Sequence, residues 1–227
     1  MARPFTPAPS LLTLPIPFPG PDALRAALVG GTKRSRETVV RLWLTEGFPA
    51  AFRDCSAIYE DLRGWLGVRL GIHPKEITLV GSARIGYSLA PPPQFGRPFG
   101  EHSDLDLAVV SAPLFERLVA TFKTFANDYG TGALRPRSDR ERGFWKANLE
   151  FGERNIPRGF LDGAKVPNLD KYAVAQEIND AMWALLKKLE ATPGAPRVRR
   201  ASTRVFRDWQ SFIDQASLNL SFALESG

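Results

Sequence analysis

The sequence predicts a mixed α/β (α+β) fold, a small mixed β-sheet flanked by helices with additional helices at both ends. Three observations carry that expectation. EITLV (76–80) is a short apolar run, DLDLAVV (104–110) alternates into one, and RVRRASTRVF (197–206) also favours a strand. Longer segments at 55–70, 113–127, 169–190 and 208–224 repeat apolar residues at helical spacing. The two kinds of segment alternate along much of the chain.

Each element has its own justification. In 55–70, Ile58, Leu62, Leu66 and Leu70 recur every fourth residue, with Asp54 as a candidate N-cap and Gly71 as a stop. EITLV (76–80) is a short apolar strand that ends abruptly in GSARIGYSL (81–89), a tight turn opening a short helix. The loop APPPQFGRPFGEHS (90–103) is rich in proline and glycine, and suits either a rim over a site or a passive connector. DLDLAVV (104–110) passes from polar–apolar alternation into a buried run. Pro113 starts a helix through about residue 127, with Leu114, Leu118, Phe122 and Phe125 on one face.

Residues 130–168 show no clear period and are expected to be irregular, with PRSDRERGFWK (136–146) strongly basic. Val174, Ile178, Met182, Leu185 and Leu189 mark the helix 169–190. RVRRASTRVF (197–206) favours a strand, and Phe212, Ala216, Leu220 and Ala223 mark the last helix. Residues 1–21 hold too many prolines for a regular helix. They are expected to form an extended arm that is loose or docks through Phe5, Leu11, Leu12, Leu14 and Phe18. Residues 22–227 then form a single domain with a C-terminal helical part.

Composition narrows the classes. The hydrophobic fraction of 44% and charged fraction of 24% are those of an ordinary globular protein. No uninterrupted apolar run reaches the roughly 18 residues a membrane-spanning helix needs. The N-terminus, broken by prolines, is not read as a secretory signal. Cys55 is the single cysteine, so an internal disulfide and a cysteine-built zinc site are excluded, and a reducing cytoplasm is expected. The net charge of +6 suits contact with a polyanion such as RNA, or simple solubility.

The chemistry centres on Asp104 and Asp106. Residues i and i+2 of a strand point to the same side. Two carboxylates so placed repel each other unless a cation lies between them. Mg²⁺ prefers such hard oxygen ligands and is commonly held by one or two carboxylates plus substrate phosphates. Gly81-Ser82 lies at the end of the preceding strand. Glycine lets a phosphate approach the backbone, and serine adds a hydroxyl donor, although serine is also an ordinary helix cap. Together the turn and the acid pair supply both ends of a nucleoside triphosphate site.

Gly81-Ser82, then Gly86, then Ser103-Asp104-Leu105-Asp106 resembles the signature of the DNA polymerase β-like nucleotidyltransferase superfamily. The match covers about residues 76–111. The resemblance implies a nucleotidyltransferase fold in which Gly81 and Ser82 bind the outer phosphates of an NTP, while Asp104 and Asp106 bind Mg²⁺ or Mn²⁺. The reaction it implies is attack of an acceptor hydroxyl on the α-phosphate with loss of pyrophosphate. The acceptor would be an RNA or tRNA end, another nucleotide or a protein, in an antiviral defence or toxin setting. The family usually places a third carboxylate on a later strand. The strand 200–206 offers Ser202, Thr203 and Arg204 instead, and Asp162, Glu150 and Asp208 are the candidates elsewhere. Without that acid, the alternative is a degenerate member that binds nucleotide or RNA and acts through a partner protein.

Further residues surround this centre. Arg84, in the first turn of the short helix, is a candidate phosphate contact or a solvent-facing residue, and Arg97 in the loop is a weaker candidate. Arg137, Arg140, Arg142, Arg199 and Arg200 form two basic stretches suited to an acceptor nucleic acid. Phe144, Trp145 and Trp209 accompany them, as stacking groups or as core. Trp209, which precedes an amphipathic helix, is assigned to the core. His102 is read as a surface loop residue, His73 as structural and Cys55 as packing.

Overall fold

The computed structural model describes residues 19–225; the residues expected to dock the N-terminal arm, Phe5 to Phe18, lie outside them. Pro21 opens helix α1 (Pro21–Leu28), where its fixed φ and missing N–H suit the first position. Helix α2 (Lys33–Val39) is capped by Thr32, whose hydroxyl accepts from the Ser35 N–H, and continues into a π-helical turn at Val40–Leu44. Helix α3 (Ser56–Leu70) buries Leu62, Leu66 and Leu70 and ends at Gly71, whose φ of 65° is the left-handed stop that glycine provides. Its N-cap is Cys55, not Asp54, and no side chain caps it.

Strand β1 (Ile77–Val80) leads into the short helix α4 (Gly81–Ile85), and strand β2 (Asp104–Val110) into helix α5 (Ala112–Gly130). Helix α6 (Asp139–Asn155), strand β3 (Phe160–Asp162), helix α7 (Ala173–Ala191), strand β4 (Arg200–Phe206) and helix α8 (Trp209–Glu225) follow. The four strands form one mixed sheet in the order β1-β2-β4-β3. β1 is antiparallel to β2, β2 is parallel to β4, and β3 is antiparallel to β4. The mixed α/β architecture expected from the sequence is therefore present, with helices before and after the sheet.

The sheet separates two hydrophobic cores. Leu105, Leu107 and Val109 of β2 face one side with Ile77, Leu79, Leu161, Ala201 and Val205, packed by α3, α5, α6 and α7. Ala108 and Val110 face the other side with Phe160 and Phe206, packed by Leu24, Val40, Trp43 and Phe212 from α1, the π-turn and α8. Each fully buried Leu or Phe contributes about 2 kcal/mol of apolar burial. Asp104 and Asp106 share the second side, at the end of the strand that this second core leaves uncovered.

The expectation of irregular structure over 130–168 is corrected: this region holds α6 and β3. The inward positions of α6 are Trp145, Asn148, Gly152 and Asn155, so three of the four carry no hydrophobic signal. Its buried aromatic, Trp145, stands edge-on to Phe125 and Tyr129 in the core, and Leu149 and Phe151 pack partly buried against that core. β3 is too short to show an alternating pattern.

Candidate acid-pair site

Asp104 and Asp106 leave the same face of β2, because successive side chains of a strand alternate. Both are half-buried between the fully buried Leu105 and Leu107. The antiparallel pairing of β1 with β2 sets Val80 opposite Asp106, which brings the turn after β1 to the acid pair. Gly81 begins that turn with φ of 62°, a conformation that L side chains resist. A Cβ built on Gly81 would stand 3.7 Å from Asp106 Oδ2, an ordinary contact distance, so the turn passes close to the carboxylate. Gly81 and Ser82 are both half-buried, and the first N–H groups of a helix have no partner within it.

Parallel strand β4 supplies the other wall. Its register sets Arg200 beside Asp104 and Ser202 beside Asp106. The Ser202 hydroxyl donates to Asp106 Oδ1 at 2.6 Å. Arg199 forks Asp104, with Nε 3.0 Å from Oδ1 and Nη2 3.2 Å from Oδ2. Arg200 Nε stands 3.9 Å from Oδ2. Hydrogen bonding to Asp104, and then its charge, raise the Arg199 guanidinium above its ordinary pKa.

The remaining candidates divide sharply. Arg84 is corrected: it is 2% exposed and donates to the backbone carbonyls of Trp43 (3.1 Å) and Gly47 (2.8 Å), which leaves it no access to a phosphate. Burial lowers its pKa, while Tyr59 and Glu46 oppose that shift. Glu150 is also corrected, for it lies exposed on α6 rather than on a strand beside the acids. Asp162 is on β3, two strands from β2, and Arg204 forks it at 2.6 and 3.2 Å. Two inter-strand spacings put it about 10 Å away sideways, too far to share an ion with Asp106. Asp208 caps α8 by accepting the Ser211 N–H at 2.7 Å, and that bond, with Arg207 beside it, lowers its pKa to about 2. Among the described residues no group of three or more His, Cys, Asp and Glu is arranged to hold a metal ion.

The basic stretches part company as well. Arg199 and Arg200 line the acid pair, whereas Arg137, Arg140 and Arg142 sit exposed at the start of α6, in the layer on the opposite side of the sheet. Arg142 pairs there with Asp139 at 2.8 Å. Trp145 is core, and Phe144 is exposed. Trp209 is corrected from core to surface: it is 44% exposed and lines a cleft of about 590 Å³ with Arg41, Phe48, Arg63 and Lys75. The loop 90–103 is pinned beside α4, with the Ser88 N–H on the Arg97 carbonyl and the Phe99 N–H on the Gly86 carbonyl. Arg97 and His102 are exposed on it. His73 caps the 3₁₀ turn Pro74–Glu76, as a structural residue would. Cys55 is half-buried against the core, and burial raises its thiol pKa.

The donor set suits a divalent ion of the Mg²⁺ kind. It offers two hard carboxylates on one face, with the Gly81 turn close beside them. Ser202, which the sequence reading noted only as a residue that is not an acid, is the part of the site that register alone reveals. No protein-family model matches the chain, and neither a curated protein nor a solved structure matches it. No helix among the described residues is long and apolar enough to cross a membrane.

Proposed function

We propose that this protein is a metal-dependent nucleotidyltransferase that moves a nucleoside monophosphate from an NTP to an acceptor hydroxyl. The observation that carries the reading is the pairing of Val80 with Asp106, which brings the Gly81 turn close to Asp106 Oδ2, with Asp104 on the same strand face. Asp104 and Asp106 would hold the Mg²⁺ or Mn²⁺ ion, which supplies charge stabilisation to the attacking and leaving oxygens. Gly81 and Ser82 bind the outer phosphates through backbone N–H groups and the hydroxyl. Ser202 orients Asp106 by its hydrogen bond, and Arg199 and Arg200 add positive charge where a triphosphate or an acceptor RNA would lie. The family setting, polymerase β-like with a defence or toxin role, rests on the sequence resemblance.

A second reading, nucleotide binding without transfer, is favoured by one observation. The β4 residue that faces Asp106 is Ser202 and not an acid, so among the described residues no third carboxylate joins the pair. One experiment separates the two. The protein is incubated with each labelled triphosphate, Mg²⁺ and cellular RNA or protein, and pyrophosphate and labelled product are measured. A transferase releases pyrophosphate and labels one fraction, and Asp104→Ala and Asp106→Ala each abolish both. A nucleotide-dependent rise in Tm with no pyrophosphate supports binding alone. If neither appears, both readings fall. For an RNA acceptor, labelling drops steeply as salt rises.

A further inference from the structure

We infer that Arg199 is an exchanging ligand of the acid pair: it holds Asp104 while no cation is bound, and turns to the triphosphate when one is. The inference rests on the reading of Asp104 and Asp106 as the metal and triphosphate site. It begins from competition for the same lone pairs. The Arg199 fork takes one lone pair of each Asp104 oxygen and sets a guanidinium charge against the carboxylate, so a divalent ion ligated there meets like-charge repulsion that opening the fork relieves.

A second fork on the same sheet shows what a fixed pair looks like. Arg204 grips Asp162 with side chains 32% and 19% exposed, and its guanidinium also stacks 4.9 Å from the Phe160 ring centre. The Arg199 side chain is 70% exposed and has no aromatic ring beneath it among the described residues. Exposed pairs of this kind contribute little, so opening one requires little free energy. The backbone stays in place meanwhile, because the Arg199 N–H donates to the Ser103 carbonyl at 2.9 Å, directly before Asp104. The freed guanidinium therefore remains tethered beside the acid pair. Its planar fork matches phosphate oxygens as well as it matches a carboxylate.

This arrangement has two consequences of opposite sign. Without Arg199 the acid pair loses its nearest competing cation, Arg200 standing farther off at 3.9 Å, so a bare metal ion binds more tightly. The triphosphate, however, loses a charged hydrogen-bond donor and binds more weakly. A residue that merely supported the local structure would move both affinities in the same direction.

The test uses the full chain with two probes. Mn²⁺ alone is titrated by electron paramagnetic resonance, and inorganic tripolyphosphate is titrated with Mg²⁺ by calorimetry. Wild type, Arg199→Ala, Arg199→Lys and Asp106→Ala are compared, after their melting curves show that each is folded. Arg199→Ala is expected to bind Mn²⁺ about threefold to fivefold more tightly. It is expected to bind magnesium tripolyphosphate about tenfold more weakly. Arg199→Lys, which keeps the charge but loses the fork, falls between it and wild type for both probes. Unchanged or weaker Mn²⁺ binding in Arg199→Ala, or both affinities moving together, overturns the exchange while leaving the site intact. Failure of wild type to bind Mn²⁺, or undiminished binding by Asp106→Ala, overturns the site itself and the exchange with it.

Discussion

The two faces of strand β2 make the most instructive contrast in this molecule. On one face Leu105, Leu107 and Val109 are all essentially excluded from water, under α3, α5 and α7. On the other, Ala108 and Val110 are buried but Asp106 and Asp104 are not, although the alternation of the strand is unbroken. The difference comes from the cover rather than the strand. The helices on the second face stop short, and the uncovered end is where the chain carries charge without the large penalty of burying it. A continuous core on one side holds the strand rigid, and the interrupted core on the other exposes its acids next to Gly81.

The contrast makes predictions that differ in size. The largest effect is expected at Leu107, where Leu107→Ala should lower unfolding stability by about 3 kcal/mol. Asp106→Asn, the adjacent position on the opposite face, should lower it by no more than about 1 kcal/mol. Urea unfolding of both variants checks this, and equal losses would break the distinction between the faces. Next comes Arg84, whose buried guanidinium ties α4 to the segment around Trp43 and Gly47. Arg84→Ala should lose about 2 kcal/mol in the same assay. Magnesium tripolyphosphate affinity should be unchanged in the folded fraction, because Arg84 does not reach the acid face.

The smallest effect belongs to Asp208 on the surface cap of α8. Its native pKa, about 2, lies below its ordinary value of 3.8. A group depressed in the folded state stabilises above its unfolded pKa and loses that contribution as pH falls through the folded one. Asp208→Asn should therefore be less stable than wild type by about 1 kcal/mol near neutral pH, since asparagine still caps but loses the charge and the Arg207 pair. That gap should close between about pH 4 and pH 2, read from melting temperatures across the range.

Much of the fold was legible because its signals are local. Strand β1 is an apolar run, β2 and β4 alternate polar and apolar residues, Gly71 stops α3, and Pro113 marks the first turn of α5. Helix α6 escaped because its inward positions are largely polar or glycine, Gly152 lying where the Phe122 ring leaves no room for a side chain. That Asp104 and Asp106 leave one face of β2 was legible from spacing, since i, i+2 placement on a strand needs no tertiary information. Arg84 was misread because helical position gives the direction of a side chain but not what packs over it. Trp209 was misread for the same reason.

By itself the sequence determined three of the four strands, the turn at Gly81-Ser82, and that two acids must project together from one strand face. Those follow from backbone geometry and residue chemistry over a few positions. Only the tertiary structure decided that Ser202 and Arg199 meet the acids, that Asp162 is held by Arg204 at a distance, and that Arg84 is sealed inside. Parallel pairing of β2 with β4 joins residues almost a hundred positions apart, and that register is set by the packing of both cores rather than by any local signal.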